Sequence, residues 1–224
     1  MQNKSSTTGK TPLTTEGFDG GSELYNLSTE QSLEEELWLA AEAGERFKLM
    51  ELVDKMRVNV NSVNRAADGW TALHYAVNEG KLKCVEFLLQ RGANVNQRSG
   101  QARTPLHIAC SRQNKCLTKI LLQNGAQPNL QDEQGNTALH LIAQSNNRDL
   151  LLNFMQAAKK GSVDKNVLNA DGKSACDMTS SRDIRRVLQP AGSAKPTSES
   201  SVSGNGKAKR PGFGSGGKGV REIR

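Results

Sequence analysis

Three histidines, four cysteines and one glycine-rich lysine segment are the parts of this chain whose residue types could do chemistry. Imidazoles act as general bases and metal ligands, thiolates as nucleophiles, and a Gly-rich loop ending in lysine can cradle phosphates. The spacings argue against each. Five residues separate Cys110 from Cys116 where a redox or zinc pair would have two, and no Ser, Cys or Asp stands in a recognised nucleophile context. His107 and Cys110 share a helix face at i, i+3, where a buried small thiol is ordinary core. The segment Gly212-Phe213-Gly214-Ser215-Gly216-Gly217-Lys218-Gly219 has G-x-x-x-x-G-K but puts Gly219 where a metal-binding Ser or Thr is needed. It also fits G-x-G-x-x-G, yet both motifs work only between a strand and a helix. The expectation is a chain that is not an enzyme, with no catalytic residue, no cofactor and no metal.

The histidines are informative for another reason: His74, His107 and His140 lie 33 residues apart each time, and each closes the same tetrapeptide. These are Thr71-Ala72-Leu73-His74, Thr104-Pro105-Leu106-His107 and Thr137-Ala138-Leu139-His140. Seventeen residues after each Thr comes an apolar pair, Leu88-Leu89, Leu121-Leu122 and Phe154-Met155. Gly92-Ala93-Asn94-Val95-Asn96 is echoed by Gly125-Ala126-Gln127-Pro128-Asn129. Thr71 stands where its hydroxyl can cap a helix, and Leu73, Ala76 and Val77 give that helix one apolar face. Val85, Leu88 and Leu89 do the same for a second helix, which Gly92 closes, and Asp68-Gly69 makes the turn before the next unit. One such helix pair cannot bury both of its faces, so neighbours must stack into a continuous core.

A 33-residue period with a T-A/P-L-H core resembles the ankyrin-repeat family. That resemblance implies an all-α solenoid of about five repeats, three full and two divergent caps. It also implies that Thr71, His74, Thr104, His107, Thr137 and His140 are structural, each Thr bonded to its His and each ring tied to the next repeat. Successive imidazoles would then lie about 10 Å apart, too far to share a metal whose ligands sit near 2.0–2.1 Å. The upstream cap would start at the capping box Ser32-Leu33-Glu34-Glu35 and run through Ala40-Ala41, Gly44, Leu49, Leu52, Val53 and Met56. The downstream cap would be Asp171 to Asp177, with Asp177 where His stood, followed by Ile184, Val187 and Leu188. Gln113 and Asn146 replace the Gly kept at Gly44 and Gly80, Thr118 replaces an apolar residue, and Ile142 a small Ala. The third full repeat spans 37 residues from Thr137 to Ser174, with Lys159-Lys160-Gly161 in the excess.

The domain reading is a repeat domain over 32–190 between two tails, 1–31 and 191–224, which are expected to be disordered. Both are rich in Ser, Thr, Gly and Lys and poor in apolar side chains, so they cannot offset the entropy of ordering. The net charge of +7 is distributed unevenly: −4 over residues 1–66, +6 over 67–194 and +5 over 195–224. Apolar runs long enough for a membrane span or signal peptide are absent, which makes cytoplasm or nucleus the expected location and reduced thiols the expected state of the cysteines. Lys207-Ala208-Lys209-Arg210 is a weak nuclear-import candidate.

Ankyrin repeats bind along the concave surface made by turn tips and first helices, so the resemblance implies a protein-interaction module, adaptor or regulator whose partner is another protein. The surface positions are Trp70, Asn78, Glu79, Arg98, Gln101, Arg103, Ser111, Arg112, Glu133, Asn136 and Gln144, flanked by Asp68, Gln131 and Ser145. Arg98, Arg103 and Arg112 are expected to converge and favour a partner with an acidic segment, with Trp70 as apolar anchor. Neither a small-molecule substrate nor a membrane is expected. The alternative is a nucleic-acid- or microtubule-associated protein that acts through the basic C-terminal tail.

Overall fold

In the computed structural model, residues 20–159 and 161–189 are described, with side chains from residue 31 onward. Among them the regular structure is helical, and two isolated β-bridges, Asn64 to Trp70 and Leu168 to Ser174, close turns. The helices alternate between two layers. The inner layer runs α1 (Gly20–Ala43), α3 (Ala72–Asn78), α5 (Pro105–Ser111), α7 (Ala138–Ser145) and α9 (Ala175–Met178). The outer layer runs α2 (Arg46–Met50, continued by a π-helical turn, Glu51–Lys55), α4 (Leu82–Gln90), α6 (Lys115–Gln123), α8 (Arg148–Ala157) and α10 (Arg182–Leu188). Each helix packs on its neighbour within the layer, and the layers meet over one apolar core. Ala41, Ala76 and Ala109 are fully buried and let inner helices approach, while Leu73, Leu88, Leu106, Leu121, Leu139, Leu150 and Phe154 fill the space between layers.

Each motif histidine has one bonding scheme. The backbone N–H and the hydroxyl of Thr71 both donate to His74 Nδ1, at 3.1 and 2.9 Å, which closes a capping box at the start of α3. Two donors on Nδ1 leave the ring proton on Nε2, and that N–H donates to the Arg103 carbonyl 3.3 Å away in the next repeat. His107 repeats the scheme with Thr104 and the Asn136 carbonyl, and His140 with Thr137 and the Lys173 carbonyl. At Ser174 the carboxylate of Asp177 takes the place of Nδ1, accepting from the Ser174 amide at 3.0 Å and hydroxyl at 2.6 Å. A carboxylate has no N–H to pass on.

A second ladder runs along the outer-layer side of the turns. The amide of Asn61 accepts from Asn94 N–H and donates to the Gly92 carbonyl, at 2.7 and 3.2 Å. Asn96 and Asn129 do the same to Gln127 and Gly125, then to Asp164 and Ser162. This ladder locates the excess of the long repeat. Ser162 stands where Gly125 stood, so the added residues lie between the end of α8 and the resumption of the ladder, around Lys159 and Gly161.

Two expectations need correction or explanation. Ser32 does not start the first helix: it lies inside α1, which begins at Gly20. From Ser22 to Ala43 the sequence has no Gly or Pro to interrupt a helix, and a serine in that setting is tolerated in the helix interior. The positions between the first four helix pairs adopt the left-handed conformation, with φ of 86° at Gly44 and 70° at Gly80, but also 56° at Gln113 and 52° at Asn146. Asn146 offsets that strain by accepting on its Oδ1 from the Thr179 hydroxyl and the Ser180 and Ser181 amides, at 2.8, 3.1 and 3.1 Å. Thr118, fully buried, satisfies its hydroxyl by donating to the Asn114 carbonyl at 2.8 Å.

Two outcomes follow from these contacts. Asn146→Ala should lose the last helix pair's anchor and keep the strained φ, costing roughly 2–3 kcal/mol in urea unfolding, whereas Asn146→Gly should cost about 1 kcal/mol less. Equal losses for the two would mean that the backbone conformation there is not strained. The second concerns acid. Burial lowers the His74 pKa from 6.5 to about 4 and lowers those of His107 and His140. The unfolded chain therefore binds protons that the folded chain does not, so the imidazole contribution is complete above pH 6.5 and is lost as pH falls from there through about 4. For His74 alone the difference between about pH 7.5 and about pH 5 is on the order of 2 kcal/mol. A urea midpoint unchanged over that interval would contradict neutral, buried rings.

Candidate functional site

The turn tips and the inner helices share one face, and between α3, α5 and α7 it holds a groove of about 590 Å³. Trp70, at the last residue of the first tight turn, packs edge-on against Tyr75 with ring centroids 5.1 Å apart, and lies 6.1 Å from the His74 ring. Tyr75 is held in turn by Asn64, whose amide donates to its hydroxyl at 3.1 Å. Across the groove Arg112 donates from Nε and Nη2 to Asn78 Oδ1, at 3.0 and 2.8 Å, and Asn78 Nδ2 donates to the Glu79 carboxylate at 2.9 Å. This chain orients the guanidinium through a neutral acceptor and leaves its charge available. Arg103, from the next turn, completes the wall, and its Nε lies 3.9 Å from Oδ2 of the buried Asp132.

Six of the expected surface residues meet here: Trp70, Asn78, Gln101, Arg103, Ser111 and Arg112, with Asp68 beside them. Others stand elsewhere. Arg98 does not join Arg103 and Arg112 in the groove; it donates from Nη2 to the Gln131 carbonyl at 2.7 Å and bridges two turns. Asn136 is not a surface residue. It is 6 % exposed, its amide N–H bonds to Asp132, its Oδ1 accepts from Asn169, and its carbonyl serves His107. The turn has consumed every polar group it offers. Glu79 and Gln144 are exposed outside the groove, and Glu133 borders a separate recess of about 210 Å³ with Gln101, Arg103, Asp132 and Gln134. Gln131 is committed to the Gly135 and Leu168 carbonyls, and the Ser145 hydroxyl to that of Ile142.

The sequence reading missed Tyr75, Ile108 and Leu141, which supply the groove's apolar lining. Their signal was present. All three directly follow a motif histidine and so repeat at the same 33-residue period, on the groove side of the inner helices, where Ile108 is buried and Tyr75 and Leu141 are half-buried.

No three His, Cys, Asp or Glu side chains converge on a metal-sized site among the described residues. Burial pushes the Cys110 thiol up to about 12 and raises the Cys84 and Cys176 thiols, which keeps them protonated. No helix among the described residues is long and apolar enough to cross a membrane. The Gly-rich segment at 212–219, the basic cluster at 207–210 and the two tails' outer parts lie outside the described residues.

Residues 68–100 match the family model for the ankyrin repeat, and residues 88–142 match the one for ankyrin repeats in many copies. No curated protein matches the chain.

The two arginines differ in what their reversal should do to stability. Arg103→Glu sets a carboxylate against the buried Asp132 and should cost about 1–2 kcal/mol, a like-charge repulsion discounted for partial exposure. Arg112→Glu meets only an amide and should leave the melting temperature almost unchanged. Thermal unfolding of the two variants side by side checks this, and equal melting would remove Asp132 as a neighbour of Arg103.

Proposed function

We propose a protein-binding role for this chain, an ankyrin-repeat protein whose matched repeats span residues 68–142. Ankyrin repeats mediate protein–protein interaction, and the finer reading is an adaptor or regulator that holds its partner in the groove between α3, α5 and α7. The observation that carries it is the pairing of the Trp70–Tyr75 aromatic corner with an oriented, uncompensated Arg112 in one open groove. Interface hot spots are enriched in Trp, Tyr and Arg, and a planar guanidinium suits a carboxylate. The charged residues lining the groove, Asp68, Arg103 and Arg112, leave it one positive charge in excess. A partner segment with an acidic side chain beside an apolar one fits both features.

Affinity capture with the full chain and with Arg112→Glu provides the test. The partner retained by the wild type should be bound at least about tenfold more weakly by the variant, with a shallower salt dependence, while the two proteins melt alike. Capture that is unaffected by Arg112→Glu at low salt would reject the groove as the binding surface.

A further inference from the structure

One position in each turn does the same work. Asn64, Ser99, Asp132 and Asn169 turn a side-chain oxygen inward to accept from backbone N–H groups of their own turn. The second polar atom of the two asparagines is also used: Asn64 Nδ2 donates to the Tyr75 hydroxyl, and Asn169 Nδ2 to Asn136 Oδ1, both at 3.1 Å. Asp132 is different. Its Oδ1 accepts from Gln134 and Asn136, but its Oδ2 is buried with no hydrogen-bond partner, although the side chain is only 2 % exposed. The nearest cation, Arg103, is at 3.9 Å, beyond hydrogen-bonding reach. A buried carboxylate oxygen without a donor is costly, and such a group in a native fold calls for an explanation.

Asp132 lines the recess that Gln101, Arg103, Glu133 and Gln134 complete. Its charged residues sum to one negative charge, with Glu133 exposed at the rim. Arg103 belongs to both this recess and the larger groove, so a negative pocket and a positive groove share one wall. We propose that the recess is a subsite for a lysine or arginine side chain of the bound protein, which donates to Asp132 Oδ2 and is screened by Glu133, while an acidic side chain of the same segment occupies the groove beside Arg112. The inference rests on the groove reading above and specifies the partner: a segment carrying a cation and a carboxylate at a fixed offset. Arg103 separates the two charges and prevents the partner's pair from closing on itself.

The turn itself does not need the charge at position 132, because asparagine fills the equivalent position twice in this chain. Asp132→Asn therefore removes the negative charge and should melt close to the wild type. A random peptide library displayed on phage, panned against the full-length chain, is the probe. Wild-type protein should enrich peptides with an acidic residue and, at a constant offset, Lys or Arg. Panning on Asp132→Asn should keep the acidic preference and lose the cationic one, and the wild-type peptides should bind that variant about tenfold more weakly. Glu133→Gln, at an exposed side chain, should reduce the same preference partially and keeps the test valid if Asp132→Asn is unstable. Acidic peptides with no fixed cation, or a cation retained undiminished on both variants, overturn the subsite and leave the groove reading standing. Enriched peptides whose binding is indifferent to Arg112→Glu overturn both.

Discussion

The neutral histidine of each of the three motif-bearing repeats is the group on which the stack depends. Its Nδ1 must accept from the amide and hydroxyl that begin its own helix, and its Nε2 must donate to the turn of the following repeat. An imidazolium could do only the second, since a protonated Nδ1 would face two donors. Burial maintains the neutral form by penalising charge, so the same packing that needs the ring also fixes its protonation state. The pattern continues to the last repeat but changes there. Asp177 reproduces the helix-starting half of the scheme and lacks the donor half, as suits a repeat with no successor among the described residues.

At the two central junctions a histidine and an asparagine, His74 with Asn96 and His107 with Asn129, tie one repeat to the next at two separated points, while Asn61 alone ties the first junction and His140 alone the last. Two ties prevent rotation of one repeat against its neighbour. The turn tips therefore project in register, and residues a repeat apart, such as Tyr75, Ile108 and Leu141, face one groove. The long repeat is tolerated for the same reason. Its added residues sit between α8 and Ser162, where neither ladder passes, and Asn129 still reaches its carbonyl. Loop closure grows in cost only slowly with length, so a few extra residues there disturb little.

The proposed binding surface is built from the positions these ladders leave unused. Arg112 and Ser111 end an inner helix and line the groove, the Arg112 side chain bonded only to the side-chain amide of Asn78, whereas Arg98 and Asn136 are committed to holding turns. Arg103 and Asp132 lie on the border between the two classes. Asp132 Oδ1 supports its turn and Oδ2 does not, which is how one residue can belong to the scaffold and to the proposed subsite together.

How much of this the sequence determined by itself depends on whether a property is periodic. The helical class, the helix pairs, the histidine and threonine roles and the Asp177 substitution are all readable along one repeat, because each is set by residues three or four apart on one helix or by identity at a 33-residue interval. The matched family models cover residues 68–142, the three motif histidines included. The start of α1 was not readable, since a capping-box pattern at Ser32 also fits the interior of a longer helix that nothing interrupts. Nor was the division of surface residues between groove and scaffold. Arg98, Arg103 and Arg112 look alike in sequence, all basic and all at variable positions, but a carbonyl, a buried carboxylate and an amide from other repeats receive them. Those acceptors are 33 or 34 residues away in two cases and 29 in the third, and only the stacking of repeats brings them within reach; tertiary packing alone decided which arginine meets a carbonyl, which a carboxylate and which an amide.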